Sequence, residues 1–358
     1  MKVFIANPTK ILFKSTDHDY IFKCFSLMSN FQDIEFVFNN QMITSYLANF
    51  QFVFNKINSK LIKNKELLNS PLQELFFYTN PSNCDIIFSY GAYPYNLISS
   101  KRYPIVCEQT FAYGGIINKK KWVEYLKRSR KIYVERADIL ITPSLASLNI
   151  FKEVFPQYID KVHYIPYFLP YLKEINSKEL LAKYTNIDKI NLLFVGKQAK
   201  RKGLDNFIEA YLKLEDKLKK KLEVSVISSF LDGKIELPKE FNHKIYVEDI
   251  REEFRKAHVL IFPTKQEAYG LVLVEAMAQG CNVLTTNNPI QKSILEDKGG
   301  WFVDPHSIDS IYLALIEILN FTETQLYFNG LRNLENFSQN KTPQKVSQEY
   351  FKIFSSLM

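Results

Sequence analysis

Two carboxylates and two lysines in the second half of the chain have the types and spacing to hold an anionic, hydroxyl-rich ligand. Glu267 and Glu275 lie in "PTKQEAYGLVLVEAMAQG", Pro263 to Gly280, separated by seven mostly apolar residues. A charge at each end of so apolar a segment is costly to bury unless something pairs with it. Sugar hydroxyls are suitable partners. Glu267 stands just before a turn and can accept from them, while Glu275, one helical turn beyond Leu271, can accept from two adjacent hydroxyls of a ribose. Between the two, Tyr269 and Gly270 lead into the first turn of a helix. Free N–H groups and the positive end of the dipole attract phosphate or sugar oxygens there, and a residue without a side chain lets a ligand approach. Lys197 and Lys202 flank the basic loop that follows Gly196 in "LLFVGKQAKRKGLDNFIEAY". Charges so placed would neutralise a departing diphosphate. Taken alone, the glutamate pair reads first as a loop carboxylate and a solvated helix face, and the lysines as a solvated basic turn.

The elements that would position these residues alternate. "KVFIA", "IEFVF", "CDIIFSY", "YPIVCE", "ADILITPS" and "KVHYIP" read as strands with helical patterns between most of them. The pattern then restarts with "INLLFVG", "LEVSVIS", "HKIYV", "AHVLIFPT" and "CNVLTTN". Alternation of this kind argues for parallel α/β layers, and its restart for two doubly wound, Rossmann-like domains. A proline-rich stretch, "YIPYFLPYLKEINSKE", marks the seam. The expected division is 1–170 and 171–342, with a terminal helix at 343–358 crossing back to the first domain. Ligands of open α/β sheets bind beyond the carboxyl ends of the strands, so the expected site is a cleft between two such domains.

These segments together resemble the GT-B glycosyltransferases, specifically the large retaining group known as family 4 or group 1. That family's donor domain opens F-V-G-R-x-x-x-x-K-G-x-D, and this chain reads "FVGKQAKRKGLD" from Phe194 to Asp205. The family's later block is P-S-x-x-E-G-F-G-L-x-x-x-E-A-M-A-x-G, against "PTKQEAYGLVLVEAMAQG" here, and "GGWFVDP" matches the segment that follows. The resemblance implies a transferase that moves a sugar, with retention, from a nucleotide-diphosphate sugar to a glycan or lipid-linked acceptor, with no metal or other cofactor. Lys197 and Lys202 would bind the diphosphate, with Lys202 also stabilising it as it leaves. Glu267 would contact the transferred sugar and act in catalysis. The backbone at Tyr269, Gly270 and Leu271 would hold hydroxyls and phosphate, and Glu275 the ribose. The first domain departs from the family. "ANPTKILF" replaces a glycine-rich loop, no glycine precedes Gly91, and Glu108 and Gln109 stand where many members place a histidine. These two are the acceptor-side candidates.

Composition bounds the rest. The chain has 358 residues, 46% of them apolar and 23% charged, a soluble globular profile. Neither a signal peptide nor a membrane span is legible, and four scattered cysteines read as reduced core residues of a cytoplasmic protein. The net charge of +8 is concentrated in 101–136, where ten basic residues meet three acidic ones. Within it, 118–136 reads as a basic amphipathic helix whose face of Trp122, Tyr125, Leu126, Ser129 and Tyr133 either packs on the sheet or meets an anionic membrane surface. Asp17 and Asp19 form a D-x-D, read as a helix cap rather than a metal site. A nucleotide-sugar 2-epimerase would need histidines gathered in the cleft, and none are seen. A polyanion or nucleic-acid binder would leave the donor motifs unexplained, so no nucleic acid is expected.

Overall fold

The computed structural model describes residues 1–5, 35–38, 84–90, 103–108, 119–169, 171–229, 231, 235–267, 269–296 and 299–358. The chain divides into two units. The first draws on Met1–Phe111, Ile117–Pro166 and Pro343–Met358, and the second is built on Tyr167–Thr342.

In the first unit, β1 (Lys2–Ile5), β2 (Glu35–Phe38), β3 (Ile86–Tyr90), β4 (Ile105–Glu108), β5 (Ile139–Thr142) and β6 (Val162–Tyr164) form a sheet of order β2-β1-β3-β4-β5-β6. Every pairing among them is parallel. All four residues of β5 are buried, the continuous apolar run expected of a parallel strand covered on both faces. The helix Pro343–Ser355 packs on this unit, with the Tyr350 and Phe354 rings each 6.0 Å from Phe88, edge-on.

In the second unit, β7 (Ile190–Val195), β8 (Leu222–Ile227), β9 (Asn242–Lys244), β10 (Val259–Phe262), β11 (Asn282–Thr286) and β12 (Gly300–Val303) are ordered β12-β11-β10-β7-β8-β9, again all parallel. The chain runs outward from β7 through β8 to β9, then returns to the other side of β7 to lay down β10. The strand order therefore reverses between β7 and β10, and the crevice of a doubly wound sheet opens at such a switch point, beyond the carboxyl ends of the strands. β9 is shorter than the run "HKIYV" predicts. Its pairing stops at Ile227↔Lys244, where β8 ends, and leaves Ile245 and Tyr246 outside the strand and exposed. β12 lies on the opposite edge, inside the "GGWFVDP" segment.

Among the described residues, no helix is long and apolar enough to cross a membrane.

Candidate active site

Two loops leave the sheet at the switch point, one after β7 and one after β10. They are stitched together through the backbone and through Arg201. Lys265 N donates to Arg201 O at 2.9 Å, Arg201 Nη1 donates to Gln266 O, and Arg201 Nε donates to Gln198 Oε1 at 2.6 Å. Gln198 is held at φ 57°, a left-handed conformation uncommon outside glycine. Lys265 Nζ reaches across to both oxygens of Asp205, at 2.8 and 2.7 Å. Gly203 has φ +82°, and a Cβ there would overlap the carbonyl oxygen of Pro263. The approach of the two loops therefore requires a glycine at this position.

The close approach brings Lys202 and Glu267 together. Lys202 Nζ pairs with Glu267 Oε2, each side chain being 13% exposed, and lies 4.7 Å from the centroid of the Phe262 ring. Burial lowers the Lys202 pKa, the Glu267 charge opposes that shift, and Arg201 adds to it. A buried pair of this kind is weak evidence for stability, because desolvation offsets much of the attraction. It does hold a cation and an acceptor in one place.

Gly270, at φ +102°, ends the second loop and begins the helix Leu271–Ala278 with no side-chain cap. Leu273 N donates to Gly270 O at 2.9 Å, and the N–H groups before it receive no acceptor from a cap side chain. Tyr269 is buried, its ring 4.7 Å from that of Tyr167 and edge-on to it, and Leu271 is partly buried. The helix ends in Gln279, with Gly280 at φ 58° beyond it, the left-handed stop expected after a helix.

Glu275 lies on this helix, apart from the Lys202–Glu267 pair. Its partner is Tyr171, whose hydroxyl donates to Oε1 at 2.6 Å. Burial raises the Glu275 pKa to about 7, and the Tyr171 hydrogen bond opposes the rise. Two other expected site residues are plainer: Lys197 is exposed, and Gly196 is partly buried with its N–H donating to Ile227 O at 3.0 Å. Glu108 ends β4, its backbone paired with Tyr90 and Ile141. Gln109, Asp17, Asp19 and the "ANPTKILF" segment lie outside the described residues. Among the described residues, no group of three or more His, Cys, Asp or Glu side chains is placed to hold a metal ion.

Tyr171, Arg201, Asp205 and Lys265 were not singled out from the sequence. Three of them lie within or beside the two motifs, and their charges were the available signal. Tyr171 falls in the proline-rich seam, where nothing in the sequence marks it.

Residues 177–329 match the family of glycosyl transferases described as group 1. D-inositol 3-phosphate glycosyltransferase of Paenarthrobacter aurescens is 25% identical over 191 residues, covering 48% of this chain and 46% of that one. Lipopolysaccharide glucosyltransferase WaaG of Escherichia coli K12 is 34% identical over 120 residues, 31% of this chain and 32% of its own. The chain thus spans less than half the length of either relative. Among solved structures, Anabaena HepE in complex with UDP and glucose superposes over 99% of both chains, with a TM-score of 0.63 at 12% identity. The fold is therefore that of the GT-B class, with two Rossmann-like parallel sheets. Within it, residues 177–329 are the part similar to the group 1 glycosyl transferases.

Proposed function

We propose that the protein is a retaining glycosyltransferase that moves a sugar from a nucleotide-diphosphate sugar to a glycan or lipid-linked acceptor in the synthesis of a cell-surface polysaccharide or glycoconjugate. The observation that carries this reading is the Lys202–Glu267 pair at the switch point of the second sheet, beside the uncapped start of the helix Leu271–Ala278. An anionic donor would enter where Lys202, Lys197 and the helix N–H groups offer positive charge. Its diphosphate would take Lys202 from Glu267 and free the carboxylate for the hydroxyls of the transferred sugar. Glu275 would accept from the ribose. Lys202 then acts mainly as the diphosphate departs, because the charge on the bridging oxygen develops in the transition state. On this reading no metal ion takes part.

The similarity to HepE, solved in complex with UDP and glucose, supports a nucleotide-sugar donor and makes a UDP-sugar the first to try. The helix Lys119–Arg136 turns Leu126 and Val134 into the core and leaves Lys127, Arg128 and Lys131 exposed. That leaves a basic face for an anionic acceptor or the inner surface of the cytoplasmic membrane.

The test is a thermal-shift panel of UDP-, GDP-, ADP- and CMP-sugars, followed by transfer assays with the donor that stabilises most. Lys202→Ala should lower kcat by ~10²–10³, the usual loss for one preorganised charge, and chelation should leave activity intact. Loss of activity in EDTA with recovery in manganese would overturn the metal-free reading.

A further inference from the structure

The partly buried carboxylate assigned to the ribose already has a donor. Tyr171 Oη donates to Glu275 Oε1 at 2.6 Å across 104 positions of sequence. The two residues are held very differently. Glu275 sits on a helix packed into the unit, whereas Tyr171 is 47% exposed, on a segment without regular structure. The Tyr171 backbone is anchored on the other side, its carbonyl accepting from Arg251 Nη1 at 3.3 Å. Arg251 is itself fixed by Asp249, which accepts from Nε at 2.8 Å and from Nη2 at 2.6 Å and also caps the helix Ile250–Lys256. The backbone is therefore tethered, while the ring lies partly at the surface.

A partly buried carboxylate left without a protein donor keeps only part of its hydration, so a hydroxyl beside it is favoured. A ribose diol presents two donors and needs both oxygens of Glu275. The phenol occupies one of them. We propose that Tyr171 is a stand-in for a ribose hydroxyl. It satisfies Glu275 while no nucleotide is bound and swings away when the ribose arrives, so it sets how strongly the site prefers a ribonucleotide. The inference rests on the ribose assignment made for Glu275 above, and it adds a competitor that weakens nucleotide binding.

Three proteins and two probes separate the possibilities. Calorimetry on the full chain would compare the ribonucleoside diphosphate that binds best, from UDP, GDP and ADP, with its 2′,3′-dideoxy analogue. Tyr171→Phe removes only the hydroxyl of an exposed ring and should fold normally. It should bind the ribonucleotide about tenfold more tightly than the parent protein, the equivalent of one net hydrogen bond to a charged acceptor. The dideoxy analogue should gain much less, because it cannot replace the lost donor. Weaker or unchanged ribonucleotide binding by Tyr171→Phe would overturn the proposal, since a phenol that merely orients Glu275 would be missed by the ligand. Glu275→Ala tests the underlying reading on its own. Loss of the preference for ribose over dideoxyribose upholds that reading whatever Tyr171→Phe does. A retained preference removes the reading and the proposal together, as would failure of all three diphosphates to bind the parent protein.

Discussion

At the scale of single residues, the site holds ionisable groups in states that oppose stability, and pH exposes this. Glu275 rises from the ordinary 4.5 to about 7 because it is buried. The folded state thus binds this proton more tightly than the unfolded chain does. Its contribution to stability is fully present below 4.5 and is lost as pH rises towards 7, to at most ~3 kcal/mol. His258 runs the other way. Burial, with Lys183 nearby, lowers it from 6.5 to about 4, and the neutral ring bonds on both sides, to Asn191 N and Lys183 O, each at 2.9 Å. Its contribution is present above 6.5 and is lost as pH falls towards 4. Between these limits the two slopes partly cancel. Glu275→Gln should therefore raise stability in denaturant titrations at pH 8 by up to ~3 kcal/mol, with little change near pH 4.5. The same variant should bind ribonucleotide more weakly at pH 8, and it should lack the strengthening of affinity expected of the parent protein as pH rises through 7. A variant destabilised at pH 8 would mean that the Tyr171 hydrogen bond outweighs the desolvation of the Glu275 charge in the free protein.

At the scale of elements, the site is a contact between two loops, and two glycines in one of them do different work. Gly203 needs both its left-handed φ and the space against Pro263 O, so Gly203→Ala must push the loops apart. A cost of a few kcal/mol is expected, ~1–3 from the backbone alone, with loss of donor binding. A Cβ on Gly196 would instead meet the Lys202 side chain, with Cγ at 3.1 Å. Gly196→Ala should leave the melting temperature within a few degrees and displace the Lys202 stem, lowering kcat more than it changes nucleotide affinity. Equal melting temperatures for the two variants would contradict this division of roles. The strands carrying these loops were legible because buried parallel strands are continuous apolar runs, as in "LLFV" and "VLIF". The motifs and their order placed Lys202 and Glu267 at strand ends. Their pairing was not legible, because it depends on β10 being laid beside β7 rather than beyond β9, and strand order is not written in any local pattern. The same holds for Tyr171, whose partner is on a helix 104 positions away. "HKIYV" misled because β-propensity marks a strand but does not say how far its neighbour extends. The pairing ends with β8, at Ile227.

At the scale of the whole molecule, the first unit is interrupted. The chain leaves it at Pro166, builds the second unit, and returns at Pro343 to complete the first with a helix. That helix buries Val346, Tyr350 and Phe354, and Phe354 and Tyr350 close on Phe88 of β3. The core of the first unit thus depends on a segment that reaches it only after 176 residues of another fold. Forming that contact across an unfolded loop of such length costs loop-closure entropy, which a folded second unit has already met by fixing the loop's path. The first unit should therefore be the easier to disrupt from the helix side, and the second should not depend on it. Phe354→Ala, which truncates a fully buried aromatic, should cost the first unit ~3–5 kcal/mol. Urea unfolding of this variant should separate into two transitions, the earlier one accompanied by new proteolytic cleavage in residues 84–166. Nucleotide should shift only the later transition, because every residue assigned to the donor lies in Tyr167–Thr342. A single transition shifted as a whole by nucleotide would show instead that the two units unfold as one.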